Sequence, residues 1–237
     1  MKPGRIAIDG PVAVGKSSVG RLLAKRLDYV FFDTGMMYRA FTGKVLKLGI
    51  SPEDETRLCH LSSTTKFDFV LSQKERLSIL IDGDDVSSEL LHPEIEKQVS
   101  AISKIAGVRQ VIVSEQRRVA QRGKIIMAGR DIGTVVLPWA ELKIFLVASA
   151  KERADRRCKE LLEQGEMVNY NTVLAELKSR DEIDTNRLIS PLKPAADAII
   201  IDTEKLSLER VVDKIHALVV KLDGGSSPAV QDDTEGQ

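Results

Sequence analysis

The sequence has little sulfur chemistry: two cysteines, Cys59 and Cys158, in 237 residues. That is too few for a disulfide framework, and neither stands in a C-x-x-C pair or at metal-ligand spacing from a histidine. Both read as reduced thiols. The three histidines, His60, His92 and His216, are isolated along the chain, so no histidine metal site is expected. An excess of charge is also missing. Thirty-five Lys and Arg balance 35 Asp and Glu, which argues against diffuse binding to nucleic acid. No apolar run approaches the roughly 18 residues that cross a bilayer, and Asp9 interrupts the first apolar stretch before a signal-peptide core forms. A cytoplasmic protein with no membrane or nucleic-acid partner is the expectation.

What is present describes a folded domain. Apolar residues make up 43% of the chain and charged residues 30%, far from the composition of disorder. The length supports one large domain, or one domain with a smaller insertion. Five short apolar runs recur, at Arg5 to Asp9, Val30 to Asp33, Lys124 to Ala128, Lys143 to Val147 and Ala198 to Asp202. Helically spaced apolar residues lie between them, such as Val19, Leu22, Leu23 and Leu27. Alternating strands and helices predict an α/β fold with a parallel sheet covered on both faces. One stretch breaks this rhythm. Phe67, Phe69 and Leu71, then Leu77, Ile79 and Ile81, alternate with other residues around the turn Ser72 to Arg76, which predicts an antiparallel hairpin with a third short strand after Gly83. Hairpins do not belong inside a doubly wound sheet, so residues 63–92 read as an insertion. Pro93 starts a helix, and Gly107 separates it from the next. Residues 151–187 are Arg-rich and read as two helices joined near Gln164 to Asn169, while 223–237 lack large apolar side chains apart from Val230 and read as an unstructured tail.

Residues Gly10 to Ser17, GPVAVGKS, match G-x-x-x-x-G-K-[ST], between a predicted strand and a predicted helix. Glycines there let backbone N–H groups turn towards phosphate oxygens, and the helix N-terminus adds partial positive charge. Lys16 adds a full charge, and the Ser17 hydroxyl suits Mg2+. The Asn-Lys-x-Asp motif of GTPases is lacking. Instead, arginines stand near the ends of predicted strands, where ligands of open α/β sheets bind.

Five segments, GPVAVGKSS, DTGMMYR, GRDIGTVV, KERADRR and RDEIDTNR, resemble in order and spacing the bacterial-type cytidylate kinases of the nucleoside monophosphate kinase group, over residues 5 to 222. The resemblance implies a P-loop three-layer α/β/α domain over 1–222, with a five-stranded parallel sheet, a small antiparallel insertion (63–92) and a helical lid (151–187). The core would comprise 1–62, 93–150 and 188–222. It implies transfer of the ATP γ-phosphate to CMP, and to dCMP, with Mg2+. By the same resemblance Gly10, Pro11, Val12, Ala13, Val14, Gly15, Lys16, Ser17 and Ser18 hold the ATP phosphates. Arg153 and Arg157 are the lid pair near adenine and phosphate. Thr34, Tyr38 and Arg39 approach the acceptor, with Arg39 on its phosphate. Ser100, Arg109 and Asp131 contact cytosine or its phosphate, and Asp184 the ribose. Arg130 lies beside both phosphates, and Arg180 and Arg187 clamp the transferring group; with Lys16 these form the catalytic set. Two departures stand out: Ala128 where an acidic residue is common, and Trp139 where Asp is usual.

The chemistry is consistent with these residue types. Two polyanions must meet, so repulsion is the obstacle. The acceptor phosphate, with a second pKa near ~6, is already mostly dianionic, and no general base is required. Arginine forks neutralise and orient phosphate better than lysine. Arg117, Arg118 and Arg156 are read instead as ordinary salt-bridge residues. UMP or AMP as acceptor, or a non-catalytic nucleotide-binding regulator, remain the alternatives. A monomer is expected, with a lid that closes over both nucleotides to exclude water.

Overall fold

A computed structural model describes residues 2–71, 77–163 and 165–224. Five parallel strands form the main sheet: β1 (Arg5–Asp9), β2 (Val30–Asp33), β6 (Ile125–Gly129), β7 (Leu142–Val147) and β8 (Ile199–Asp202). Their spatial order is β2-β6-β1-β7-β8. The alternation of side chains across the pleat divides the core into two layers. Ile6 and Ile8 of β1, with Leu142, Ile144 and Leu146 of β7, face α1 (Lys16–Leu27) and α8 (Leu208–Gly224). Ala7, Phe32, Ile125 and Met127 face the opposite layer. That layer contains α2 (Gly35–Lys47), α3 (Glu55–Thr64), α4 (Pro93–Ser103) and α5 (Ala106–Ala120). The expected three-layer α/β/α architecture is therefore what the chain adopts.

The insertion is the predicted three-stranded antiparallel sheet, β3 (Phe67–Leu71), β4 (Leu77–Ile81) and β5 (Asp84–Asp85). Phe67 pairs with Ile81 and Phe69 with Ile79, and all four are buried. Phe69 meets Phe32 of β2 edge-on, with ring centroids 5.3 Å apart, so the insertion shares the core of one layer. The turn expected at Ser72 to Arg76 lies outside the described residues.

Local chemistry sets most helix starts. The Asp54 carboxylate accepts from Arg57 N at 3.0 Å to cap α3, and Asn169 Oδ1 accepts from Thr172 N at 3.2 Å to cap α7 (Tyr170–Asn186). Pro93 occupies the first turn of α4, as expected. Gly107 differs from expectation: α5 begins at Ala106, and the glycine lies within its first turn. The reason is packing. A Cβ on Gly107 would stand 2.5 Å from Cys59 Sγ, so the glycine lets α5 approach α3 closely. At the other end of the chain α8 runs to Gly224, which takes Asp223 and Gly224 out of the expected tail; residues 225–237 lie outside the described residues.

The Arg-rich segment forms α6 (Ala150–Glu163) and α7, as predicted, and the Gln164 end of their expected junction is outside the described residues. These helices pack on each other through Ala154, Val173 and Leu177, and this small cluster also covers Val12 and Ala13 of the GPVAVGKS loop. Among the described residues no helix is long and apolar enough to cross a membrane.

Candidate active site

Parallel strands end on the same side, so the loops after β1, β2 and β6 converge at one edge of the sheet. The loop after β1 has the backbone of an anion cradle. Gly10 and Gly15 adopt positive φ (149° and 96°), and so does Ala13 (58°). A side chain at Gly10 would be excluded, since its Cβ would meet Leu146 O at 2.5 Å. Gly15 leads directly into α1, which aims the helix N-terminus at the cradle. Lys16 is buried, and its ammonium donates to Gly10 O at 2.7 Å and Pro11 O at 2.6 Å. Burial, with the charge of Arg130 nearby, pushes its pKa well below the usual lysine value. A phosphate would relieve both costs.

Ser17 Oγ donates to Asp33 Oδ2 at 2.7 Å. Asp33 ends β2 directly opposite Ala128 of β6, so a carboxylate stands beside the loop even though Ala128 itself has none. A hydroxyl next to a carboxylate is a hard oxygen donor set, which fits Mg2+. Asp9, the last residue of β1, accepts from the N–H groups of Ile132 (2.8 Å) and Gly133 (2.7 Å). Burial raises its pKa to about 6 despite these bonds. The bonds fix a single turn of π-helix, Ile132–Val136, that follows Gly129-Arg130-Asp131. Neither Asp9 nor Asp33 was singled out as a site residue from sequence; both sit at strand ends, which was the available signal.

Beside the loop lies a cavity of about 100 Å3 lined by five segments. The β2–α2 segment contributes Thr34, Tyr38 and Arg39, and α4 contributes Ser100. Arg109 comes from α5, Arg130 and Asp131 from the end of β6, and Arg180, Asp184 and Arg187 from α7 and its C-cap. The structure thus gathers all seven predicted acceptor residues, Thr34, Tyr38, Arg39, Ser100, Arg109, Asp131 and Asp184, together with Arg130, Arg180 and Arg187, around one space.

Within it the charges are paired in a fixed pattern. Arg109 and Asp131 form a buried ion pair, 4% and 8% exposed. The Arg109 guanidinium also donates to Ser103 O at 3.0 Å and lies 5.3 Å over the Tyr38 ring. Arg130 Nε donates to Asp184 Oδ2 at 2.7 Å, and Arg187 lies 3.7 Å from Asp184 and 3.8 Å from Asp131. Thr34 Oγ1 is committed to Ala128 O at 2.8 Å. Among the described residues the Tyr38 hydroxyl and Arg187 Nη2 are buried without a hydrogen-bond partner, Nη2 facing Asp131 only across the 3.8 Å ion pair. Burial raises the Tyr38 pKa, keeping it a neutral donor. Unpartnered donors lining a cavity are what a polar ligand satisfies.

The arginines of the expected lid that lie on α6 divide. Arg153 is only 4% exposed; it bridges Ala148 O (3.2 Å), Val12 O (3.1 Å) and the Asp181 carboxylate, strapping α6 and α7 to the P-loop. Arg157 pairs with Glu160 at 2.8 Å and is a third exposed. Arg117, Arg118 and Arg156 bond backbone carbonyls of Val136, Phe67 and Thr203, so they brace loops. Trp139 is half-exposed beneath the Arg117 guanidinium, at 5.3 Å. Sequence reasoning missed Glu96 entirely. Its two carboxylate oxygens are taken by Arg39 and Arg180.

Comparison with known proteins agrees with this geometry. The family model for cytidylate kinase matches residues 6–221. A cytidylate kinase of Caldicellulosiruptor bescii is 46% identical over 222 residues, covering 94% of this chain and 98% of that protein. One from Desulforamulus reducens is 45% identical over 216 residues, covering 91% and 96%. Among solved structures, an uncharacterized protein from Eubacterium ventriosum shares the fold, with a TM-score of 0.50 at 14% identity over 93% of this chain and 99% of that one. With a P-loop, an arginine-lined cavity beside it and identity of this order over nearly the full length, the chain belongs to the cytidylate kinase family.

Proposed function

We propose that the protein transfers the γ-phosphoryl group of ATP to CMP, and also to dCMP, giving ADP and the corresponding diphosphate. The observation that carries this reading is the convergence of Arg39, Arg109, Arg130, Arg180 and Arg187 on one cavity adjoining the P-loop. Cations on both sides of a single gap suit two phosphorylated ligands, where a nucleotide sensor would need only one set.

In this reading residues 10–18 cradle the ATP phosphates, and Lys16 gives up the Gly10 and Pro11 carbonyls for them. Ser17 and Asp33 are the oxygen donors that would hold Mg2+, which supplies positive charge against the phosphates when bound. Arg39 takes the acceptor phosphate, and Arg180, which the resemblance places on the transferring group, is read here as sharing that phosphate because Glu96 ties it to Arg39. Arg130, beside both Lys16 and Asp184, stands at the seam, where it and Arg187 neutralise charge as the acceptor oxygen bonds to γ-phosphorus and the bond to the ADP oxygen breaks. No proton has to be removed from the dianionic acceptor. Ser100, Arg109 and Asp131 read the base edge: a carboxylate partnered to arginine accepts from an amino group and repels a carbonyl, which favours cytosine over uracil. Asp184 receives the ribose.

The division into core, insertion (63–92) and lid (151–187) belongs to the same reading, as does a monomeric cytoplasmic enzyme acting on small nucleotides. A coupled assay of ADP release with CMP, dCMP, UMP and AMP tests it. CMP is expected to give the highest kcat/KM, and preference for UMP or AMP would overturn the assignment of Arg109 and Asp131.

A further inference from the structure

Glu96 has no part in the P-loop, the base contacts or the lid motifs, yet it touches two of the cavity's arginines. It lies on α4, one helical turn before Ser100, and so on the same helix face. One oxygen accepts from Arg39 Nη1, on α2, and the other from Arg180 Nη1, on α7. Both arginines line the acceptor cavity, and Glu96 does not. The carboxylate therefore stands behind them. Apart from a 3.5 Å approach of Arg39 Nη1 to Leu90 O, it is the hydrogen-bond partner of both guanidiniums among the described residues. Among the described residues the Nε–Nη2 edge of each is uncommitted, and that edge matches two phosphate oxygens. Burial opposes the charge of Glu96, but the bonds from Arg39 and Arg180 hold its pKa down at about 2, so it is ionised at any working pH.

We infer that Glu96 is a positioning residue of the acceptor-phosphate site: it fastens Arg39 and Arg180 to each other so that both present a free edge to the same phosphate. The inference rests on the reading of these arginines as acceptor-phosphate ligands. Long flexible side chains lose freedom when they grip a ligand, and a fastened pair has already lost it. The arrangement also links α7 to α2 and α4, helices that otherwise meet it little. A counter-effect has the opposite sign: the negative charge of Glu96 repels an incoming dianion. The direction of change on removing that charge therefore decides between fastening and repulsion.

The test is Glu96→Gln, which keeps the shape and helix propensity of the side chain, with CMP binding measured by calorimetry without ATP. The Kd for CMP is expected to rise about tenfold, the size of one weakened charge-assisted hydrogen bond, with the KM for ATP within twofold of wild type. In a background carrying Arg39→Ala and Arg180→Ala, the same substitution should add nothing. Unchanged or tighter CMP binding overturns the inference, because repulsion then dominates. Equal losses for CMP and ATP, or a loss that persists without the two arginines, also overturn it, since either marks a general structural effect. If the arginine variants themselves bind CMP normally, the acceptor-site reading falls and the inference with it. Weakened arginine variants beside a normal Glu96→Gln protein remove the inference alone.

Discussion

Asp9 shows how much a single side chain can decide at the residue scale. It is 4% exposed at the end of the central strand, and burial lifts its pKa from 3.8 to about 6. A carboxyl whose pKa is higher in the folded chain than in the unfolded one binds more protons when folded between those values. Its stabilising contribution is then complete below about pH 4 and lost as pH rises through about 6. The shift corresponds to a loss on the order of 3 kcal/mol across that window. Asp9→Asn, which cannot ionise, is expected to flatten this slope. Urea unfolding at intervals from pH 4 to 7 measures the difference, and parallel curves for the two proteins would contradict the assignment. The P-loop was legible because its residue types are rigidly spaced. Asp9 was not, because an aspartate after an apolar run gives no sign of which distant N–H groups it will meet.

Among elements, α5 delivers Arg109 to the cavity and depends on its distance from α3. Gly107→Ala would put a methyl group 2.5 Å from Cys59 Sγ. Overpacking of this kind costs about 1–3 kcal/mol, which for a chain of this size lowers Tm by roughly 5 °C. Since the helix must shift, CMP affinity should fall as well; thermal melts with and without CMP provide the measurement. Replacing Cys59 with Ala alongside should restore much of both, with the Cβ at position 59 left at 3.2 Å. Element type was read well from the sequence: five strands, the hairpin, and the two Arg-rich helices follow from periodicity and turn residues. The glycine in α5 was misread as a separator because close packing between helices distant in sequence leaves no local signal. The same holds for the π-helical turn Ile132–Val136, whose cause is a carboxylate 123 positions away. Glu96 escaped notice likewise: on α4 alone it is a solvent-face glutamate, and only the approach of α2 and α7 gives it two arginines.

Seen whole, the molecule joins two regions by different kinds of contact. The insertion merges with the core through buried aromatic and aliphatic side chains. Helices α6 and α7 meet the body mainly through polar contacts, the Arg153 hydrogen bond to Val12 O and the ion pairs Arg130 to Asp184 and Glu96 to Arg180, with Val12 and Ala13 supplying the body's side of a small apolar seam. Polar seams open at lower free energy than packed cores. Hydrogen exchange across α6 and α7 is therefore expected to slow markedly when a bisubstrate inhibitor spans both sites, and much less with ATP or CMP alone. Equal protection by either nucleotide alone would mean that closure does not wait for both.

The bonds from Asp9 to Ile132 and Gly133 have a wider meaning. The strand that launches the donor cradle also anchors, through that one carboxylate, the segment bearing Arg130 and Asp131. In the proposed reading, donor and acceptor would thus be held from a shared foundation, which Asp131 extends through its ion pair to Arg109 of α5.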